Sequence, residues 1–559
     1  MNLGNGQYIR TSVFWGTEKR PVKTEKFGWE DPVVFEQKIQ TETYWRQEFT
    51  ITKREIEGLI TLFLEDQRPL PLQELARLLV LNYCQEEKNL IRRRLSGGTV
   101  YRPNATFSVG TQLVFPHLNF AQGKVVSERE GRNPEYGDFQ VITVHIDDQE
   151  HQFAAGLNVD HKLAFSDQAS VEEMFIPSAE KLYEQYGDVV MEKLGAKLQQ
   201  SDQFVDFRGK WLPVELLAEV HVGHCNIAEA VLDIKSRPLT TAELLPDLEL
   251  PTEIPEAARI FSLNHALSQD KRFEDVGDQD RVVWCLQRWL PEQVVSPSGR
   301  LDCAPVKYDR TGLDVTHLQL EREIDDLASE LMASPSVVNA KDLTLILGVL
   351  HRLLGVLPLT DRTRSFFPQG HMEQRTQVTF VDRVNNTEFP GWIIREHHFV
   401  YGLGEWYEEN GIPAGAYIKL QKTEDPSRVM VDIVPRRMRR EWVRVANQDQ
   451  DGELDFQMLK RPIACEYDEF LLLEADESVA GALWQKEQER DRSLGEIIQS
   501  VFLALAKLSP HGTVHAKTLY SAVNLLYRCP PGRIFSKLIE LPHFVAVENG
   551  YWMFNENIF

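Results

Sequence analysis

A chain of 559 residues is longer than one hydrophobic core organises, and at roughly 150 residues per domain it predicts three or four domains. A formal charge of -23 excludes a protein that coats nucleic acid over its whole surface, since phosphate binding needs positive charge, but leaves room for local basic patches. No run of about 18 apolar residues occurs, so no membrane span and no membrane partner is expected.

The opening residues, MNLGNGQYIRTSVFWGTEKR, lack the apolar centre of a secretory signal. Cys84, Cys225, Cys285, Cys303, Cys465 and Cys529 lie far apart with no C-x-x-C pair, which suits reduced thiols rather than a disulfide framework or a zinc site. The expected location is therefore cytoplasmic, with residues 1–50 as an N-terminal extension.

The segment 51–116 reads as a first folded unit. REIEGLITLFLED is helical, and RPLPLQEL at 68–75 opens the helix–helix stretch that follows it. That stretch ends in NLIRRRLSGG, and NATFSVGTQLVF at 104–115 then gives strand, glycine turn and strand, with Phe107, Val109, Gly110 and Phe115. Residues 117–165 alternate polar and apolar side chains, with turn signals at Asn133-Pro134 and Gly137, and predict a small barrel-like β module. In 166–223, Met174, Leu182, Tyr186, Val190 and Leu194 fall at helical spacing, and QFVDFRGKWLP adds a shorter hairpin with Phe204, Gly209 and Trp211.

The first pattern returns at 224–291. CNIAEAVLDIK is helical, RPLTTAEL repeats the RPLxxxEL entry at 237–244, and KRFEDVGDQDRVVWCL supplies Phe273, Val276, Gly277 and Trp284. Residues 292–370 predict a helical connector containing LQLEREIDDLASELM and AKDLTLILGVLHRLLGVL. A β-rich, barrel-like domain is expected at 371–475, from strands such as QVTFVDRV, GWIIREHHFVYG, AYIKLQ and RVMVDIVP. The third copy lies at 494–559. LGEIIQSVFLALAKL is helical, GTVHAKTL stands at the entry, and LPHFVAVENGYWMF closes a hairpin on Asn549-Gly550.

Helix, turn, helix, helix and a two-stranded hairpin is the order of a winged helix-turn-helix. The entry at Pro238-Leu239 and Glu243-Leu244, with the exit at Arg272-Phe273, Val276-Gly277 and Trp284 to Leu286, resembles the HARE-type winged helix. That family includes the delta subunit of bacterial RNA polymerase and modules attached to chromatin proteins and restriction endonucleases. The resemblance implies an α+β multidomain chain of repeated winged helix-turn-helix units with small barrel-like β modules between them. DNA or a transcription complex is the implied partner.

Two basic clusters and one helix are the candidate nucleic-acid contacts. Arg92, Arg93 and Arg94 are placed at the end of the third helix of the first unit, where a winged helix enters the major groove; there they would also offset a helix dipole. VPRRMRREWVRVA sets Arg436, Arg437, Arg439, Arg440 and Arg444 beside Trp442, a mixture suited to a nucleic-acid backbone or to pairing with the acidic connectors. Arg533 and Lys537 fall on the third helix of the last unit, opened by Pro530-Pro531-Gly532.

Catalytic signatures are weak. His221 and His224 in HVGHC lack evident further ligands, so no metal is expected. Asp233 and Lys235 in VLDIK close a helix before Pro238, where a nuclease would need a strand, and Gly402 and Gly404 in YGLGEW lack the rest of a dinucleotide loop. The expectation is a non-enzymatic regulator or scaffold without cofactor that binds nucleic acid through several modules joined by linkers. A protein-interaction scaffold, or the recognition subunit of a DNA-modifying or defence system, stands as the alternative.

Overall fold

Thr52 starts the first long helix. Its hydroxyl accepts from the Arg54 amide while Glu55 accepts from the Thr52 amide at 2.8 Å, a reciprocal cap that satisfies otherwise orphaned donors. The helix, Lys53–Asp66, buries Ile56, Leu59 and Phe63. The computed structural model describes residues 38–147, 149–158, 178–303, 308–326, 340–370 and 374–555. Its chain falls into two compact units, Met1–Val214 and Glu215–Phe559. It is a mixed α and β protein with several separate sheets, and no described helix is long and apolar enough to cross a membrane.

In the first unit, strand β1 (Leu70–Pro71) leads into helix Leu72–Leu95. A five-stranded sheet follows: β2 (Thr99–Val100), β3 (Gln112–Phe115), β4 (Ala121–Glu130), β5 (Gln140–Ile146) and β6 (Gln149–Ala155), in that spatial order. Helix Ala179–Gln199 then packs on Leu72–Leu95, with Gly195 against Leu72. Strands β7 (Phe204–Phe207) and β8 (Lys210–Pro213) close the unit, and β8 pairs with β1 through Leu70 opposite Trp211.

Three sequence expectations change here. The 104–115 segment is not the closing hairpin of the first unit. Gln112–Phe115 runs parallel to β2 and antiparallel to β4. Phe107 and Phe115 pack with Tyr101 and Phe153 in the core of the inserted sheet, with Phe115 and Phe153 centred 4.4 Å apart. The hairpin that meets β1 is the short echo at 204–213, so the five-stranded sheet is inserted between the second and third helices of that unit. Arg92, Arg93 and Arg94 consequently end the second helix, not the third. Nor are residues 38–50 an extension. Trp45 is wholly buried, stacks on Tyr186 at 5.9 Å, and is held by Lys193, whose ammonium donates to the carbonyls of Trp45, Arg46 and Phe49. The remainder of the expected extension, residues 1–37, lies outside the described residues, as do 159–177, including Met174.

The second unit begins with helix Val222–Lys235, followed by β9 (Leu239–Thr240), a short helix Thr241–Leu244, helix Glu256–Gln269 and the hairpin β10 (Phe273–Asp275) and β11 (Val283–Leu286). Strand β11 pairs with both β10 and β9. Trp284 is buried, and its indole N–H donates to the Asn264 side-chain carbonyl at 2.9 Å, tying the hairpin to the third helix.

The expected helical connector at 292–370 is only partly helical. Helix Val315–Ile324 forms. Beyond it, β12 (Asp342–Ile346) and β13 (Val356–Pro358) are strands, separated by helix Val349–Leu354. They are the two edges of a seven-stranded sheet with β14 (Arg375–Asp382), β15 (Glu388–Ile394), β16 (Phe399–Tyr401), β17 (Tyr417–Lys422) and β18 (Arg428–Ile433), ordered β12-β17-β18-β14-β15-β16-β13. Leu343 and Leu345 are buried while Asp342 and Thr344 are exposed, the two-residue period of a strand. Pairing with β17 satisfies an edge whose backbone groups would otherwise lack partners. The part of this connector at 327–339 lies outside the described residues.

A long hairpin follows, β19 (Pro435–Gln448) and β20 (Leu454–Cys465), with β21 (Leu473–Glu474) parallel to β19. After helix Glu477–Gln488, the last segment forms helix Leu494–Ala506, β22 (Thr513–His515), helices Ala516–Leu526 and Pro531–Glu540, and the hairpin β23 (Phe544–Ala546) and β24 (Tyr551–Phe554). Asn549 and Gly550 take φ of 59° and 78°, the left-handed geometry a tight hairpin needs. Strand β24 pairs with β22 and β23. Three three-stranded sheets, β1-β8-β7, β9-β11-β10 and β22-β24-β23, thus share one connectivity: the strand before the second helix meets the second strand of the closing hairpin.

Candidate nucleic-acid interface

The ribbon of β19 and β20 carries the second basic cluster. Its distal end is fixed. Glu453 pairs with Lys486 at 2.8 Å and with Arg490, and the Arg490 guanidinium, with Lys486, holds its carboxyl down to about 2. Arg444 points its guanidinium at the backbone carbonyls of Glu469, at 3.0 Å, and Leu472, so it braces β21 rather than facing outward.

Toward the other end the ribbon is open. Met438 is 66% exposed and Trp442 57%. Arg437, Arg439 and Arg440 are exposed. In register, Arg440 stands opposite Pro462 and Trp442 opposite Lys460. Directly paired residues and residues two apart share a face, so Arg440, Trp442, Lys460 and Pro462 form one surface. The Lys460 ammonium lies 4.9 Å from the Trp442 ring centre, a cation–π contact that orients the indole.

The acidic residues of the ribbon, Glu441 and Asp455, and Glu474 of the neighbouring β21 are already engaged. Glu441 pairs with Arg436 at 3.8 Å, Glu474 with Arg461 at 2.7 Å, and Asp455 with Lys507 at 3.4 Å. Among the described residues, no carboxylate forms an ion pair with Arg437, Arg439, Arg440 or Lys460. Arg436 is the exception within the expected cluster, being also stacked over Tyr467 at 5.5 Å. Lys460 and Met438 were not singled out from sequence. The signal for Lys460 was the turn-forming DQDG at 449–452, which implies that 454–465 folds back on the arginine strand.

The other candidates sit differently. Arg94 lies over the Phe120 ring at 5.6 Å, and Arg92 and Arg93 are exposed. Arg533 and Lys537 are on helix Pro531–Glu540, of which only Ile539 and Glu540 are exposed. Arg533 stacks over Tyr527 at 6.0 Å and Lys537 pairs with Glu540. The rest of that helix is covered by the chain itself. The Ser536 hydroxyl donates to the Asp309 carbonyl at 2.7 Å, His317 and Phe535 meet at 5.9 Å, and Gly532 abuts Tyr308, Arg310 and Glu321. Segment 308–326 therefore covers the side of this helix that carries Gly532, Phe535 and Ser536.

His221 and His224 stack at 3.9 Å and cap helix Val222–Lys235 through their ring nitrogens. Among the described residues no group of three His, Cys, Asp or Glu is placed to hold a metal ion. Asp233 pairs with Arg288. Comparison with family models, with curated proteins and with solved structures gave no match.

Proposed function

We propose that this chain is a non-enzymatic nucleic-acid-binding scaffold of the transcription-regulator kind, built of winged-helix units of HARE type and using the β19–β20 ribbon as the contact surface. Three sheets of identical connectivity, each set among three helices, support the winged-helix reading. The observation that carries the binding reading is local charge. On a chain of -23, Arg440 and Lys460 share one exposed face of the ribbon, Arg437 and Arg439 are exposed on the same strand, and neighbouring carboxylates pair elsewhere. Unneutralised cations at this density attract phosphates, and counterion release supplies the affinity.

Replacing Arg437, Arg439 and Arg440 together with Ala tests this. Each lost phosphate contact lowers the slope of log K against log salt by roughly 0.7 on single strands and 0.9 on duplex, so the slope should fall by about 2 to 3. An unchanged slope removes the ribbon from the interface. The strapped third helix at 531–540 favours a second reading, a protein-interaction scaffold, which a complete lack of nucleic-acid affinity at about 50 mM salt would select.

A further inference from the structure

We infer that the ribbon takes single-stranded nucleic acid, with Trp442 as a platform on which one base stacks. The inference rests on the nucleic-acid reading and narrows its ligand. A duplex presents phosphates and groove edges, and the cations alone would serve it. They do not account for an indole left 57% exposed between Arg440 and Lys460 on one face. An unpaired strand offers both chemistries at once, a phosphate chain and bare base faces.

The geometry suits that combination. Lys460 covers one face of the Trp442 ring at 4.9 Å, and among the described residues no aromatic side chain stacks on the other. The cross-strand contact holds the ring in place without a rotamer search on binding. Arg440 is two residues along the same strand and on the same face, about 7 Å away by strand rise. It is therefore placed to meet the backbone of the nucleotide next to the stacked one. Pro462, opposite Arg440, adds a flat apolar floor. Stacking on an aromatic ring tolerates any base, so the site would hold a strand with little sequence preference. Deoxyribose and ribose strands share this chemistry.

The experiment is fluorescence anisotropy of labelled oligonucleotides against the full chain: a deoxythymidine 20-mer, a uridine 20-mer and a 20-base-pair duplex. Wild-type, Trp442→Ala, Trp442→Phe and the triple arginine variant are compared. The inference expects a single strand to bind more tightly than duplex. Trp442→Ala should weaken single-strand binding about 5- to 150-fold, the range of one base–aromatic stack, with most of it restored in Trp442→Phe. Duplex binding should change far less. The two single-strand arms tell deoxyribose from ribose ligands. Duplex binding as tight as single-strand binding, or a Trp442→Ala variant that binds both forms like wild type, overturns the inference while leaving nucleic-acid binding intact. Lack of affinity for all three probes overturns the underlying reading instead. Because Trp442 is exposed, unchanged thermal unfolding of its variants is the control for folding.

Discussion

Asp326 and Arg528 are both buried, and the guanidinium pairs with both carboxylate oxygens while the Tyr520 hydroxyl donates to one of them. Burial alone would raise the Asp326 carboxyl, but Arg528 outweighs it and holds the group at about 2. Replacing Asp326 with Ala leaves a buried guanidinium without its partner, and should cost about 3–5 kcal/mol by chemical denaturation. Beside this pair, burial pushes the His351 imidazole down to about 4, with Asp326 opposing the shift. Burial, with Lys517 adding to it, does the same to His515. A histidine depressed in the fold takes its proton more readily when unfolded. Stability is therefore full above about pH 6.5 and falls as pH drops toward 4, by on the order of 3 kcal/mol for His351. The Asp326 contribution, present above its unfolded value, is lost later, between about pH 4 and 2. Denaturant midpoints measured from pH 7 to 3 should show the first fall, and His351→Leu should flatten part of it while leaving that of His515. A wild-type midpoint constant from pH 6.5 to 4.5 contradicts this account.

At the scale of elements, the closing hairpins are held by one tryptophan each. Trp211, Trp284 and Trp552 are 4%, 1% and 4% exposed. Truncating Trp552 to Ala should destabilise its unit by about 3–5 kcal/mol, and Trp211→Ala should do the same to the first unit. The Trp211 variant is the sharper measurement. It should expose helix Leu72–Leu95 to hydrogen exchange, because β8 is the strand that meets β1; if only 204–213 loses protection, the pairing carries no such load. The last two hairpins were legible in sequence through Asn549-Gly550 and through the Phe273 and Trp284 exit. The first was misplaced, since strand, glycine turn, strand and aromatic describe any small β fold. Phe107 and Phe115 satisfied that pattern inside the inserted sheet. Likewise, 342–346 and 356–358 were read as helix because they flank the helical Val349–Leu354 in one apolar stretch, and pairing with β17 and β16 makes them strands.

For the whole molecule, the strap at 308–326 and the open ribbon make opposite predictions about two basic groups. Arg533→Ala with Lys537→Ala should leave nucleic-acid affinity within about twofold of wild type, whereas loss of Arg437, Arg439 and Arg440 should lower it at every sequence tested. A large loss from the Arg533 and Lys537 pair would mean that the strap opens on binding. Sequence by itself determined the repeated helix entry, the turn at Asn549-Gly550 and the presence of a basic cluster around Trp442, because each is set by side chains a few residues apart. Which hairpin closes the first unit, which helix Arg92 to Arg94 end, and which cations remain unpaired were decided only by tertiary structure. The partners come from distant parts of the chain: β8 for β1, and Asp309 and His317 for helix Pro531–Glu540. Pairing across such distances is selected by the burial and hydrogen-bond satisfaction of the assembled fold, which no local pattern encodes.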